Sequence, residues 1–159
     1  MLKKLFKFLF CLFFLKVSVI ANTLIEVDLI KVIDGDSLKV KVNNQQIELR
    51  LWGIDAPEYQ QPMGRKAKKV LKSLCQNKKL FIEKLGRDHY NRTLAVLYSD
   101  QENLNEQMLI KGYAWVYPKK QKYYQRYKYL ENLAKHQGDG LWMSENAMAP
   151  WKFRKLNKK

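Results

Sequence analysis

The sequence contains few of the residues that build disulfide frameworks or metal–thiolate centres. Its 159 residues include two cysteines, Cys11 and Cys75, and two histidines, His89 and His136. No Cys-x-x-Cys pair is present and neither histidine has a cysteine nearby, which disfavours a zinc site and histidine-base chemistry. The chain also lacks an internal repeat. Disulfide scaffolds, zinc ribbons and solenoid repeats are therefore excluded.

Acidic residues are scarce relative to basic ones. The chain has 30 Lys+Arg against 15 Asp+Glu, a formal net charge of +15 at pH 7, within a globular composition of 47% hydrophobic and 28% charged residues. The length fits one domain. Such a basic surplus indicates a polyanionic partner, either nucleic acid or an anionic membrane surface, although a solvated basic coat is the alternative. The aromatic residues, 13% of the chain, lie among the basic ones and favour nucleic acid.

The N-terminus has the pattern of a secretory signal peptide over residues 1–21. Three lysines precede a short apolar run, Phe8–Leu15, and small side chains at Val19 and Ala21 suit the cleavage site. The apolar run is too short to span a bilayer. We therefore expect a secreted or periplasmic protein, cleaved before Asn22 and without stable membrane anchoring afterwards. Residues 22–159 are expected to form a single monomeric domain with a basic C-terminal tail.

Hydrophobic periodicity predicts strands first and helices later. Apolar residues alternate with period two near residues 25–29, 38–42 and 47–51, and Asn43-Asn44 suits a hairpin turn between the second and third strands. Two more strands are predicted at about 80–85 and 93–98. Helical spacing follows Gly64, a short helix begins at Asn103 with Glu106 placed for a capping box, and a last helix covers about 120–137. Five strands and three helices predict an α+β, mainly β, barrel of the OB type.

Acidic and arginine side chains concentrate in three short segments, at 32–37, 50–58 and 88–92. Asp36, Asp55 and Glu58 place three carboxylates among apolar strands, where they repel one another unless a cation lies between them. Oxygen ligands without histidine or thiolate favour Ca²⁺ or Mg²⁺. Arg50 and Arg92 add planar guanidinium groups that suit a phosphate, although each alone is typical of a surface salt bridge. Together these residues indicate a phosphodiester site.

These motifs resemble the thermonuclease (staphylococcal nuclease-like) family. The ordered matches are Asp34-Gly35-Asp36, the run Arg50–Glu58, Asp88–Arg92 and Gly140-Leu141-Trp142. The resemblance implies an OB barrel with three helices and a Ca²⁺-dependent nuclease that hydrolyses DNA and RNA to 3′-phosphate ends. We therefore expect the chain to be a secreted nuclease of this kind, with DNA and RNA as its substrates.

The resemblance also assigns roles to individual residues. It implies that Asp36, Asp55 and the backbone carbonyl of Ala56 bind Ca²⁺, and that Glu58 is the base that activates water. Arg50 and Arg92 take the place of the pair that holds the phosphate. Tyr90, Trp115 and Tyr117 match the aromatic residues of the nucleotide pocket.

Departures from the family pattern leave other functions open. Ala56 replaces a threonine, His89 a lysine and Asn91 a glycine, while the loop after Glu58 is reduced to 59–63. One alternative is a non-catalytic OB-fold protein that binds nucleic acid. Another is a basic secreted protein that acts on membranes or acidic polysaccharides. Such a protein would have a continuous exposed apolar face, and the core-facing apolar stripes of this sequence do not leave one.

Overall fold

The computed structural model describes residues 24–117 and 122–157 and shows a small closed barrel with helices packed on it. The expected signal peptide at 1–21 lies outside this part of the chain. Within the described ranges, no helix combines the length and the apolar character needed to cross a membrane.

Within the described residues, the structure contains more strands and more helices than the periodicity predicts. The strands are β1 Ile25–Val32, β2 Ser37–Val42, β3 Gln45–Leu51, β4 Ile54–Asp55, β5 Leu80–Arg87, β6 Thr93–Ser99, β7 Glu102–Asn103 and β8 Trp115–Val116. The helices are α1 Gly64–Cys75, α2 Leu104–Ile110, α3 Tyr124–Gln137 and α4 Pro150–Leu156, with a 3₁₀ turn at Gly140–Met143 between the last two.

Five long strands form the barrel. Their order in the sheet is β3-β2-β1-β5-β6, and β3 also pairs with β6, in parallel, which closes the sheet on itself. All the other neighbours are antiparallel. Register irregularities in β1, between Leu29 and Lys31, and in β5, between Lys84 and Gly86, bend these strands, as β-bulges do at barrel corners. The predicted OB-type architecture is confirmed.

Local sequence signals account for several turns and helix ends. Asn43 and Asn44 both have positive φ, 46° and 66°, as the β2–β3 hairpin requires. The Asn103 side chain accepts the backbone N–H of Glu106 at 3.1 Å and so caps α2. The Glu106 carboxylate, however, pairs with Arg126 of α3 at 2.9 Å, so the predicted capping box is half formed.

The structure differs from the predicted three helices in having four within the described residues. The additional helix, α4, is seven residues long and has Pro150 at its start but no side-chain cap. Its sequence gives a weak signal because helices this short depend on tertiary packing. A small cluster of Trp115, Leu141 and Ala149, against which Trp151 packs, supplies that packing.

The barrel interior is filled by apolar side chains that include Leu38, Leu49 and Leu97, all fully buried. Helix α1 packs closely on the turn between β1 and β2. A Cβ atom on Gly35 would lie 2.6 Å from the Cβ of Ala56 and 2.8 Å from that of Ala67, so a larger residue does not fit there. This close approach fixes the turn that carries Asp36, at one end of the barrel.

Candidate active site

A cavity of about 560 Å³ opens where the ends of β1, β3 and β4 meet the loop between β5 and β6. The segments predicted to carry the chemistry all contribute to it. Its polar lining consists of carboxylates, arginines and aromatic rings, namely Asp34, Asp36, Asp55, Glu58, Asp88, Arg50, Arg92, Arg154, Tyr90 and Tyr117. The sequence therefore brings its separate acidic and basic segments to one place.

The turn before β2 aims the first carboxylate. The Asp34 side chain accepts the backbone N–H groups of Asp36 at 3.0 Å and Ser37 at 2.7 Å, which holds the turn in one conformation. Asp36 then accepts the Ser37 hydroxyl at 3.0 Å and the backbone N–H of Ala56 at 2.5 Å. The Asp36 carboxylate is thereby tied to both β2 and the end of β4.

Asp36 and Asp55 form a buried acidic pair, 5% and 1% exposed. Arg50 spans them, with Nη1 at 3.1 Å from Asp36 Oδ2 and Nη2 at 3.0 Å from Asp55 Oδ1. Burial raises the pKa of Asp36 to about 7, although Arg50 acts in the opposite direction. When both carboxylates are ionised, their negative charge exceeds what Arg50 alone neutralises, so a further cation beside them stabilises the ionised form of Asp36.

Glu58 lies on a loop that the start of α1 holds in place. The Gln61 side chain accepts the Glu58 N–H at 3.2 Å, and the Glu58 carbonyl accepts the Gln61 N–H at 2.8 Å. Gly64 is essential here, because a Cβ atom would lie 1.9 Å from the Glu58 carbonyl oxygen. The Glu58 side chain remains 37% exposed, unlike the buried pair. It is therefore accessible to solvent and positioned at the cavity.

Arg92 is positioned by the turn between β5 and β6. Asp88 accepts the backbone N–H groups of Tyr90 and Arg92, each at 2.9 Å, and its second oxygen binds Arg92 Nε at 2.7 Å. Burial of Asp88 opposes ionisation, but the hydrogen bonds from Arg92 outweigh it and lower the pKa of Asp88. Asn91 has φ 63°, a left-handed conformation that asparagine tolerates better than most residues and that the glycine it replaces would adopt freely.

A third arginine, Arg154 of α4, reaches the carboxylates from the C-terminal side. Its Nη2 lies 2.8 Å from Asp55 Oδ2 and its Nη1 lies 2.7 Å from Glu58 Oε1. Hydrogen bonding to Asp55 and Glu58 raises the pKa of Arg154 above its usual value. Sequence reasoning missed this residue because it lies in a helix that the pattern does not predict. Its only sequence signal is an arginine within the basic tail.

The aromatic residues predicted to contact nucleotides are divided between the cavity and the interior. Tyr90 and Tyr117 line the cavity and are 71% and 42% exposed. Tyr117 stacks on Trp151 of α4 with ring centroids 5.2 Å apart. Trp115 is 5% exposed and lies edge-on to Trp142, so the structure does not place its side chain at the cavity. Its backbone pairs with that of Asp55.

Comparison with known proteins identifies the family. Residues 48–144 match the staphylococcal nuclease homologue family. This chain belongs to the staphylococcal nuclease family. A protein of Haemophilus influenzae named an uncharacterized endonuclease is 38% identical over 130 residues, which cover 81% of this chain and 72% of that protein. A protein of Shigella flexneri named micrococcal nuclease is 36% identical over 146 residues, covering 82% and 81%.

Another relative is considerably longer than this chain. The staphylococcal-like nuclease CAN1 of Arabidopsis thaliana is 36% identical over 111 residues, which cover 70% of this chain and 34% of that protein. Membership of the staphylococcal nuclease family makes this chain a nuclease rather than a non-catalytic binding module.

The staphylococcal nuclease family is generally calcium-dependent, and Ca²⁺ takes oxygen ligands. Within residues 24–117 and 122–157, no group of three or more His, Cys, Asp or Glu side chains is arranged to hold a metal ion. Two buried carboxylates, Asp36 and Asp55, and Ala56 do line the same cavity, and the carboxylate oxygens are donors of the kind that Ca²⁺ prefers. These hard oxygens fit Ca²⁺, with water and phosphate oxygens completing its coordination.

Proposed function

We propose that this nuclease hydrolyses phosphodiester bonds of DNA and RNA in a Ca²⁺-dependent reaction that leaves 3′-phosphate ends. One observation carries the proposal: a single cavity contains a buried carboxylate pair, an accessible Glu58 and two arginines held by separate elements. Metal binding, water activation and phosphate binding thus have separate groups in one site.

Asp36 and Asp55 are the proposed carboxylate ligands, and the Ala56 carbonyl is the proposed third. Burial raises the pKa of Asp36 to about 7 and so disfavours its ionised form near neutral pH. A cation bound beside this carboxylate would favour the ionised form. When bound, Ca²⁺ stabilises the negative charge that develops on the phosphoryl oxygens. Ala56 offers the same backbone carbonyl oxygen as the threonine it replaces. The proposed ligand is this oxygen, so loss of the threonine side chain does not remove it.

Glu58 is the proposed general base. Its carboxylate is the most exposed of the three, and a general base must reach the water molecule that attacks phosphorus. A water molecule that gives its proton to Glu58 attacks phosphorus in line, and the 5′-oxygen leaves. The loop between Glu58 and Gly64 fixes the direction of approach, since its hydrogen bonds leave the Glu58 backbone little freedom.

Arg50 and Arg92 are the proposed phosphate ligands. Arg50 lies in β3 and is anchored by the buried pair, while Asp88 binds Arg92 through Nε and so fixes the orientation of its guanidinium plane. Two guanidinium groups held this rigidly bind phosphoryl oxygens without a further loss of side-chain freedom. Their hydrogen bonds strengthen as negative charge grows in the transition state.

The exposed rings of Tyr90 and Tyr117 are proposed to contact the nucleotides on either side of the scissile bond. Stacking on an aromatic face tolerates every base, which fits weak sequence selectivity. Trp115 is proposed to act indirectly, because its backbone pairs with Asp55 while its side chain is buried.

A basic surface next to Glu58 suits the rest of a nucleic acid strand. Tyr59 is 48% exposed, and the charged groups of Arg65 and Lys68 lie 5.3 and 5.4 Å from the centre of its ring. Helix α1 carries no acidic residue, so these charges attract phosphates. We propose that this surface binds an extended or single-stranded substrate beyond the reacting nucleotides.

The nuclease is further proposed to be a monomer that is exported and loses residues 1–21. Mass spectrometry of the exported protein tests this proposal. A mature N-terminus at Asn22 is expected, and an intact N-terminus at Met1 would contradict it.

A nuclease assay on DNA and RNA tests the proposed chemistry. We expect activity in millimolar Ca²⁺, loss of activity in chelator, and weak activity in Mg²⁺, because Mg²⁺ demands a tighter octahedral shell. End-group analysis of the products is expected to find 3′-phosphates. Full hydrolysis in chelator would contradict the metal dependence, and 5′-phosphate ends would contradict the proposed leaving group.

A further inference from the structure

We propose that Arg154 is an internal cation of the ion-free enzyme, which a divalent ion must displace from Asp55 and Glu58. The C-terminal helix α4 then sets the Ca²⁺ concentration that the enzyme requires. This inference rests on the proposed Ca²⁺-dependent function.

The guanidinium group of Arg154 contacts three carboxylate oxygens. Arg154 Nη2 binds Asp55 Oδ2 at 2.8 Å, and Nη1 contacts Asp55 Oδ1 at 3.2 Å and Glu58 Oε1 at 2.7 Å. One planar group therefore spans both carboxylates. Arg50 also donates to Asp55 Oδ1, at 3.0 Å, so each oxygen of this buried carboxylate accepts from a guanidinium group.

Arg154 is freer to move than Arg50, the other arginine that binds Asp55. Arg50 belongs to a barrel strand and its side chain is 14% exposed, whereas the Arg154 side chain is 41% exposed. Arg154 lies in the last turn of α4, a helix of seven residues. A rotation of its side chain towards solvent breaks no strand pairing, so Arg154 is the group that yields.

Helix α4 and the residue before it contact the rim of the cavity through Tyr117 and Gln61. Trp151 stacks on Tyr117, with ring centroids 5.2 Å apart. The Gln61 side chain, from the loop that carries Glu58, donates to the carbonyl of Met148 just before the helix. Both contacts lie beside the proposed substrate site. The position of α4 is therefore coupled to the residues that act on substrate.

Arg154 also balances part of the buried negative charge of Asp55. Asp55 is 1% exposed, and without Arg154 its Oδ2 atom loses its guanidinium donor while Oδ1 keeps Arg50, so part of a buried charge is left unbalanced. Arg154 supplies positive charge to the ion-free protein, and Ca²⁺ supplies it when bound. Two cations that share one carboxylate compete, and each weakens the binding of the other by the same factor. Removing Arg154 is thus expected to strengthen Ca²⁺ binding while it destabilises the ion-free protein.

Calorimetric titration of the purified protein with Ca²⁺, without nucleic acid, tests the proposal. Arg154→Ala is expected to lower the Kd for Ca²⁺ about tenfold, within the range typical of coupling between two sites. Arg154→Lys keeps the charge but not the two-carboxylate bridge, so an intermediate Kd is expected. The matched control is Lys155→Ala, which removes one positive charge from the same helix at an exposed position. We expect its Kd to stay within twofold of wild type.

Thermal unfolding supplies the second readout. Arg154→Ala is expected to unfold at a lower temperature than wild type without Ca²⁺ and to gain more from saturating Ca²⁺. A Kd equal to or weaker than wild type in both Arg154 variants would overturn the proposal. Comparable tightening in Lys155→Ala would also overturn it, since a general charge effect would then suffice. Absence of Ca²⁺ binding in all variants, wild type included, would instead refute the Ca²⁺ dependence on which the inference rests.

Discussion

Replacement of Asn105 by alanine is expected to destabilise the fold strongly. It is fully buried in the first turn of α2. Its Oδ1 accepts the backbone N–H of Leu97 at 3.0 Å, and its Nδ2 donates to the carbonyls of Trp52 at 2.9 Å and Ala95 at 3.4 Å. Asn105 thereby connects α2, β6 and the segment that leads into Asp55.

The expected loss of stability is worked out from the backbone groups that lose a hydrogen bond in Asn105→Ala. The Ala95 carbonyl still accepts the N–H of Trp52 at 2.8 Å, so the main losses are the Leu97 N–H and the Trp52 carbonyl. Each buried backbone group without a partner costs about 1–3 kcal/mol. Asn105→Ala should therefore lower the free energy of unfolding by about 2–6 kcal/mol, a large part of the ~5–15 kcal/mol typical of a domain.

Urea unfolding followed by tryptophan fluorescence measures this loss. The control is Asn157→Ala, the same substitution at an exposed helix end, which should change the free energy of unfolding by less than about 0.5 kcal/mol. A loss below about 1 kcal/mol for Asn105→Ala would refute the reasoning. It would mean that water or a small shift of α2 satisfies the two backbone groups.

Three further predictions concern substrate, acid stability and strand binding. Arg92→Lys should lower kcat more than it raises KM, because the positive charge remains while the planar guanidinium group, which donates two hydrogen bonds at once, is lost. Steady-state kinetics equal to those of wild type would show that Arg92 contributes only its positive charge. Glu131 is buried, but hydrogen bonds from Lys128 and Lys135 lower its pKa, so its contribution to stability is present above about pH 4.5 and lost as pH falls through the folded pKa. The difference in melting temperature between wild type and Glu131→Gln should accordingly shrink between pH 7 and pH 3, and a constant difference would contradict it. Tyr59→Ala should weaken binding of a single-stranded decamer several-fold but leave dinucleotide cleavage unchanged, and equal losses on both substrates would place Tyr59 in the reaction site.

The barrel and most of its site were predictable because their signals are local. Alternation with period two predicts the strands of residues 25–51, and paired asparagines at 43–44 predict the hairpin, since few other residues tolerate positive φ there. The carboxylates and arginines occur in short motifs at strand ends. A closed barrel brings strand ends together, and these motifs therefore meet in one cavity.

What the sequence did not predict depends on contacts between distant residues. Arg154 reaches Asp55 only because α4 packs on Tyr117, and no local pattern encodes that docking. The side chain of Trp115 packs in a small apolar cluster and does not line the cavity. Strand β8 has only two residues, which is too few for the alternation of apolar and polar residues to predict which side chain is buried. Both residues lie beyond the barrel, where packing decides the structure.

The central claim is that Glu58 is the base of a Ca²⁺-dependent nuclease, and one comparison tests it most directly. Turnover of DNA in saturating Ca²⁺ and affinity for DNA are measured for wild type and for Glu58→Gln, which keeps the shape of the side chain. The account predicts a fall in turnover of about 10²-fold or more, with DNA affinity nearly unchanged. Turnover within a few-fold of wild type would contradict the account.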